Sequence, residues 1–271
     1  MPTINTNVNA LFAQNALKVN DRSLTKAMQQ LSTGSRVNSS GDDAAGLAIG
    51  TSMTAQIRGL NMAVRNANDG ISMLQTAEGA MVEQTNMLQR MRELAVQATT
   101  STYNSTQLGY LDTEFQALDT QINNISANTK WNGVTVLASA TTQSFVVGSA
   151  GTETVTVNLG ATDTTTGLAT TALAVSSAAS AAASVTAIDT ALASISSARA
   201  KIGAGINQLT YAADNLTNVS QNLTASRSQI LDTDYATATT QLARSQIIQQ
   251  AATAMLAQAN QQPQTVLALL K

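Results

Sequence analysis

Residues 188–230 read IDTALASISSARAKIGAGINQLTYAADNLTNVSQNLTASRSQI. Ile188, Ile195, Ile202, Leu209, Leu216, Leu223 and Ile230 stand seven apart without interruption. Two turns of helix take about seven residues, so a strict seven-residue apolar repeat draws one stripe along a helix that winds against a partner. No proline interrupts it, because the only prolines are Pro2 and Pro263. A long coiled-coil helix is therefore expected from near residue 184.

Its partner stripe lies in the first third. Ile57, Val64 and Ile71 recur every seven residues, interleaved with Leu60, Ala67, Leu74, Met81, Leu88 and Ala95. The seam predicts a helix over about 45–99, which at 1.5 Å per residue is about 80 Å long. Asp69-Gly70 and Glu78-Gly79 each look locally like a break. The seam crosses both without changing phase, so helix is expected to continue through them. The intrachain bundle seam then comprises Ile57, Leu60, Val64, Ile71 and Leu74 against Ile188, Ile195, Ile202, Leu209, Leu216 and Leu223.

Both ends of the chain carry amphipathic patterning. Ile4, Val8, Leu11, Leu17, Leu24, Met28 and Leu31 give a first helix over about 4–33, with Gly34 as its stop. Asp232-Thr233-Asp234 is a cap cluster opening a last helix to about 260, with Leu242, Ile248, Met255 and Ala259 on one face. Pro263 is expected to stop that helix. Val266, Leu267, Leu269 and Leu270 follow it. Ends are polar and frayed unless something ties them down. Apolar ends with helical patterning point to burial against each other and against further copies, through Ile4, Val8, Leu11, Phe12, Ile248, Met255, Val266, Leu267, Leu269 and Leu270.

Between the two halves the pattern shifts. Leu111, Phe115, Leu118, Ile122 and Ile125 share a face of a helix over about 105–127. Trp131-Asn132-Gly133 supplies a turn, and Val134, Val136, Phe145, Val147, Val155, Val157 and Leu159 alternate as short strands of a hairpin or meander. Ser, Thr, Ala and Gly dominate 138–186, and no Lys or Arg occurs between Lys130 and Arg199. Much of 160–183 is expected to be loop. The fold class is mainly α: a long antiparallel helical coiled-coil bundle drawn from both termini, with a small β-hairpin region in mid-sequence. An inner terminal domain is expected over 1–43 and 228–271, and a rod-like domain over 44–227, with a short variable tip at about 131–183.

Composition narrows the chemistry. Apolar residues make up 44% and aromatics only 3%, so Ala, Ile, Leu, Val and Met carry the core, which suits packed helices. Net charge is −2 with no basic patch among aromatics, which removes support for nucleic-acid binding. The chain has no Cys and no His. That excludes disulfides, thiolate chemistry, histidine-based nucleophile systems and HExxH zinc sites. An enzyme here would have to run on carboxylates, Lys, Tyr or a bound cofactor; no enzyme activity and no cofactor are expected. Asp42-Asp43 and Asp232-Thr233-Asp234 lack the remainder of a calcium loop and are assigned to helix capping. Gly203-Ala204-Gly205 lies inside a heptad helix and is no phosphate loop. Met53, Met62, Met73, Met81, Met87 and Met91 are assigned to core and interface packing. The N-terminus has neither a basic n-region nor an apolar h-region, and no 18-residue apolar run is expected to span a membrane.

At this point the chain resembles bacterial flagellin. The resemblance is carried by Ile4-Asn5-Thr6-Asn7, by Leu31-Ser32-Thr33-Gly34-Ser35-Arg36-Val37-Asn38 and by Asp42-Asp43-Ala44-Ala45-Gly46-Leu47-Ala48-Ile49. Asn68-Asp69-Gly70-Ile71-Ser72, Met91-Arg92-Glu93-Leu94-Ala95-Val96-Gln97 and Trp131-Asn132-Gly133 continue it. The C-terminal part matches along Ile230-Leu231-Asp232-Thr233-Asp234-Tyr235-Ala236 and Leu256-Ala257-Gln258-Ala259-Asn260-Gln261. It covers about 3–137 and 185–271, and the middle, where large flagellins insert outer domains, is short here.

The resemblance implies an extracellular structural subunit that polymerises into the flagellar filament, the propeller for swimming. It implies export through the flagellar type III apparatus without a cleaved signal peptide, and a chaperone on the C-terminal segment. It implies other flagellin copies and the hook-associated and cap proteins as partners. It also implies recognition by Toll-like receptor 5 through Gln89, Arg90, Glu93, Leu94 and Glu114, although receptor-binding forms often carry Gln-Arg where this chain has Ala117-Leu118. The family often glycosylates its exposed tip, and 139–186 is rich in Ser and Thr. A hook–filament junction protein shares the helical ends but not the match through Asn260 to Leu270. A membrane-active translocator would carry a basic rim along its helices, which these narrow stripes lack. A zinc-protease insert needs histidine.

Overall fold

The computed structural model describes residues 6–138, 142–163, 167–170 and 173–268, with backbone alone for 262–268. Ile4, Leu269 and Leu270 lie outside the described residues, and so do the side chains of Val266 and Leu267. The elements are α1 (Val8–Thr33), α2 (Ala44–Ala98), α3 (Ser105–Asn128), β1 (Lys130–Trp131), β2 (Val134–Thr135), β3 (Thr142–Val146), β4 (Thr154–Asn158), α4 (Ala178–Leu231) and α5 (Tyr235–Ala268). Two compact units form: Met1–Ala55 with Asn222–Lys271, and Gln56–Gln221. The fold is mainly α with two small hairpins, as the heptads and the mid-sequence alternation predict.

Helix ends follow local chemistry. Asn7 caps α1 by accepting from the Ala10 N–H at 3.1 Å. Gly34 closes it in the left-handed region, at φ 70°, with its N–H on the Gln30 carbonyl. Asn104 and Gln107 exchange side-chain and backbone hydrogen bonds in a capping box that starts α3.

In the second unit, α2 and α4 run antiparallel. Arg92 pairs with Asp189 at 2.7 Å, and Ser220 donates to Asn61 at 3.0 Å. Leu74, Met81, Leu88, Met91, Phe115, Ile122, Ile188, Ile195 and Ile202 fill the core and are all essentially inaccessible. Ile57, Leu60, Leu209 and Leu216 are buried as well and Val64 and Ile71 are half-buried, while the half-buried Leu223 falls in the first unit. The second core row of α2 is Ala63, Gly70, Ala77, Gln84, Met91 and Ala98, all buried. A search for large apolar side chains passes over most of that row, because its residues are small or polar.

Trp131 pairs with Val134 across a two-residue loop, Asn132 (φ 48°) and Gly133 (φ 82°). Positive φ at both positions is the demand of a tight hairpin turn, which Asn-Gly meets. β3 pairs antiparallel with β4, from Thr142 opposite Asn158 to Val146 opposite Thr154. This hairpin sits directly on helix backbone. A Cβ at Gly70 would lie 2.7 Å from Phe145 Cδ1, and one at Gly205 would lie 2.5 Å from Val157 Cγ2. Gly70 is therefore the seat of a strand inside an unbroken helix.

Three expectations are corrected. First, α4 begins at Ala178, six residues before the expected start at 184, because Ser177 and Ser180 exchange capping hydrogen bonds. The loop before it is anchored: Leu159, Leu168 and Val175 are buried, the Val175 N–H donates to Asp112, and Gln116 donates to the Leu173 carbonyl. Second, α5 does not stop at Pro263 but runs to Ala268. Third, α4 contains an 18-residue window that by length and composition is apolar enough to cross a membrane. Only 28% of that window is buried, although Ile188 and Ile195 of the same helix are core residues of the second unit.

Candidate assembly surface

The first unit pairs α1 with α5 antiparallel. Asn20 donates to the Ser245 carbonyl at 2.8 Å, Gln249 donates to Asp21 at 3.2 Å, and Asn7 donates to the Ala259 carbonyl at 2.8 Å. Asn20 is 7% exposed and interrupts the apolar stripe of α1, so it pins register at some cost in packing. Between the helices the chain closes with the Ser35–Asp232 bridge, the Thr233 N–H on the Gly34 carbonyl at 2.9 Å and the Arg36 N–H on the Leu231 carbonyl at 2.6 Å. Asp42 accepts from the Asn38 and Ser39 N–H groups and faces Lys26 at 2.9 Å. Lys26 above all, with those backbone donors, holds the Asp42 carboxyl down to about 2.

What this unit lacks is a core. Among its described residues the buried apolar side chains are Ala27, Val37 and Ala238. Val8, Leu11, Phe12, Val19, Met28, Ile49, Tyr235, Ile247, Ile248 and Met255 are all exposed. Phe12 is 71% exposed and Met255 66%, so large side chains stand mostly in solvent. They rim two open grooves. One, of about 490 Å³, is lined by Phe12, Ala13, Ala16, Ala252, Met255 and Ala259; the other, of about 520 Å³, by Phe12, Val19, Asn20, Ser245 and Ile248. Of the expected assembly residues, Val8, Leu11, Phe12, Ile248 and Met255 are thus on one small unit and uncovered. An apolar surface of this extent, rimmed by polar side chains, marks an interaction site rather than a finished exterior.

A second candidate surface lies on α2 and α3 of the other unit. Arg90 donates to Glu114 at 2.9 Å and to Glu93 at 3.0 Å, and its guanidinium is held more firmly protonated chiefly by Glu93 and then by Glu114. Gln89, Arg90, Glu93 and Glu114 are exposed. Leu94, expected with them, is 1% exposed and belongs to the core instead. Its position on the heptad seam, seven after Met87 and between Met91 and Ala98, is the signal for that. Among the described residues no group of three or more Asp or Glu side chains could hold a metal ion.

Comparison with known proteins agrees with this geometry. Residues 4–142 match the bacterial flagellin N-terminal helical region, and residues 185–270 match the bacterial flagellin C-terminal helical region. A flagellin of Halalkalibacterium halodurans is 43% identical over 272 residues, covering 99% of each chain. A flagellin of Bacillus subtilis is 39% identical over 302 residues, again covering 99% of each. The crystal structure of Bacillus cereus flagellin superposes with a TM-score of 0.52 at 30% identity, covering 60% of this chain and 94% of that one.

Proposed function

The chain belongs to the bacterial flagellin family and is a subunit of the flagellar filament, and we propose that the unit built from α1 and α5 is the part that polymerises. The single observation supporting this is the imbalance in that unit: three small or medium apolar residues are buried while ten large ones are exposed. Ordering a residue costs about 1–2 kcal/mol, and burying a large apolar side chain returns about 1.5–3 kcal/mol. Two helices that cover so little of each other's apolar surface need neighbours to become stable. In this reading the end segments are unfolded in the free subunit and fold as copies stack, each covering the grooves of the next. On the same reading the inner terminal domain is 1–43 with 228–271 and the rod-like domain is 44–227, while the compact unit around α1 and α5 extends further, to Ala55 and from Asn222.

Polymerisation of variants tests the assignment. Phe12→Ser and Met255→Ser remove groove side chains without touching the second unit. Each is expected to raise the critical concentration for polymerisation at least about tenfold, by loss of roughly 1.5–3 kcal/mol of burial per contact. Unchanged polymerisation in both would overturn the assignment.

The remaining family properties belong to the same proposal. The chain is a structural rather than a catalytic protein, consistent with the absence of His and Cys. It is exported by the flagellar type III apparatus with a chaperone covering the C-terminal segment, where Ile247, Ile248 and Met255 offer an apolar face. Hook-associated and cap proteins bound the filament at its ends. Toll-like receptor 5 contacts the chain at Gln89, Arg90, Glu93 and Glu114, an exposed charged cluster that needs no refolding to be read.

A further inference from the structure

Pro263 has no backbone N–H, and in an α-helix the N–H of residue 263 would bond to the carbonyl of residue 259. Because α5 runs on to Ala268, the Ala259 carbonyl loses its partner inside its own helix. That carbonyl is not left open. The Asn7 side-chain Nδ2 donates to it at 2.8 Å from the opposite end of the chain. The same amide also uses its oxygen, which accepts from the Ala10 N–H at 3.1 Å and caps α1.

We propose that Asn7 is a positioning residue for polymerisation: its one side-chain amide both starts α1 and replaces the hydrogen bond that Pro263 removes from α5. Asparagine suits both tasks, since it offers a donor and an acceptor on one planar group. Aspartate or serine caps a helix equally well. Aspartate has no proton to give at neutral pH, and the serine hydroxyl is too short to span both partners. Position matters because Ala259 lines the apolar groove beside Phe12 and Met255. While the groove is open, water can satisfy the carbonyl. When a neighbouring copy covers it, an unpaired carbonyl carries its full desolvation penalty. The Asn7 bond therefore counts most in the polymer. It also ties residue 7 to residue 259, and with the Asn20–Ser245 bond it sets the axial register of α1 on α5.

The test is a double-mutant cycle read by the critical concentration for polymerisation. Asn7→Asp keeps the cap and removes the donor. It is expected to raise the critical concentration about tenfold in the native background, the scale of losing a buried carbonyl's partner. In a Pro263→Ala background the helix supplies its own N–H to Ala259, and the same change is expected to shift the value by less than about twofold. Asn7→Ser should follow the same pattern. Equal losses in both backgrounds, or no loss in the native one, would overturn the assignment. So would a Pro263→Ala chain that does not polymerise, since by this account that substitution only restores a bond. The inference rests on polymerisation through α1 and α5. Failure of the unsubstituted chain to polymerise would count against that reading, whereas equal losses in both backgrounds count against Asn7 alone.

Discussion

Single residues set the working surfaces of this subunit, and two of them give direct tests. Arg90 is held between Glu93 and Glu114 on the exposed face of α2 and α3. Exposed ion pairs contribute little to stability. Arg90→Ala should therefore leave the thermal midpoint and polymerisation nearly unchanged, while an arginine at the centre of a receptor contact is worth about 2 kcal/mol. Receptor signalling, measured as the half-maximal concentration, is expected to rise roughly thirtyfold. Unchanged signalling would remove Arg90 from the receptor surface. Asp42 provides a pH signature. Its folded carboxyl is lowered from 3.8 to about 2, chiefly by Lys26. A depressed carboxyl contributes stability above its unfolded value, and that contribution fades as pH falls toward the folded one. Asp42→Asn should thus raise the critical concentration near neutrality, and its difference from the native chain should close between about pH 4 and pH 2. A difference that persisted unchanged at pH 2 would contradict this role.

At the scale of elements, the helices were legible in the sequence and the way the hairpin meets them was not. The repeat from Ile188 to Ile230 specifies α4, and Leu60 through Ala95 specifies α2, because large apolar residues at fixed spacing leave a helix only one face to bury. Asn104 and Gly34 mark boundaries through backbone hydrogen bonds that local sequence encodes. The small-residue row of α2, with Gly70 and Gln84 in it, escapes notice because its value lies in what approaches it. Leu94, named with the receptor positions by the resemblance, lies in the core, since a motif match carries no information on which way a helix faces. Asn7, the donor opposite Ala259, lies 252 positions away in sequence, so no local pattern announces it. The glycines make this argument testable by sign. Gly79 and Gly203 face open space, so replacement by alanine should stabilise the subunit by about 0.5–1 kcal/mol through helix propensity alone. Gly70→Ala and Gly205→Ala gain the same propensity but drive a Cβ into Phe145 and Val157. They should lower stability by about 1–3 kcal/mol. Thermal unfolding of the four variants decides it, and a rise at Gly205 would show that the hairpin does not rest on α4.

The whole molecule divides its labour between two units of different character. One has a closed core of α2, α3 and α4 side chains, with the hairpin laid on it, and it stands by the usual physics of burial. The other is a pair of helices joined by polar pins, Asn7, Asn20 and Gln249, with its large apolar groups outside. Polar pins set register without supplying much stability. Such a unit is suited to the proposed polymerisation, in which the end helices become ordered only among copies of the chain.

The most direct measurement is limited proteolysis with mass mapping, run in parallel on the free subunit and on sedimented polymer. The account predicts that the free subunit is trimmed from both ends to a resistant fragment close to Gln56–Gln221, while the polymer resists along α1 and α5. Equal resistance of both ends in the free subunit would contradict it, because α1 and α5 would then be stable without the neighbours that the exposed Phe12, Ile248 and Met255 require.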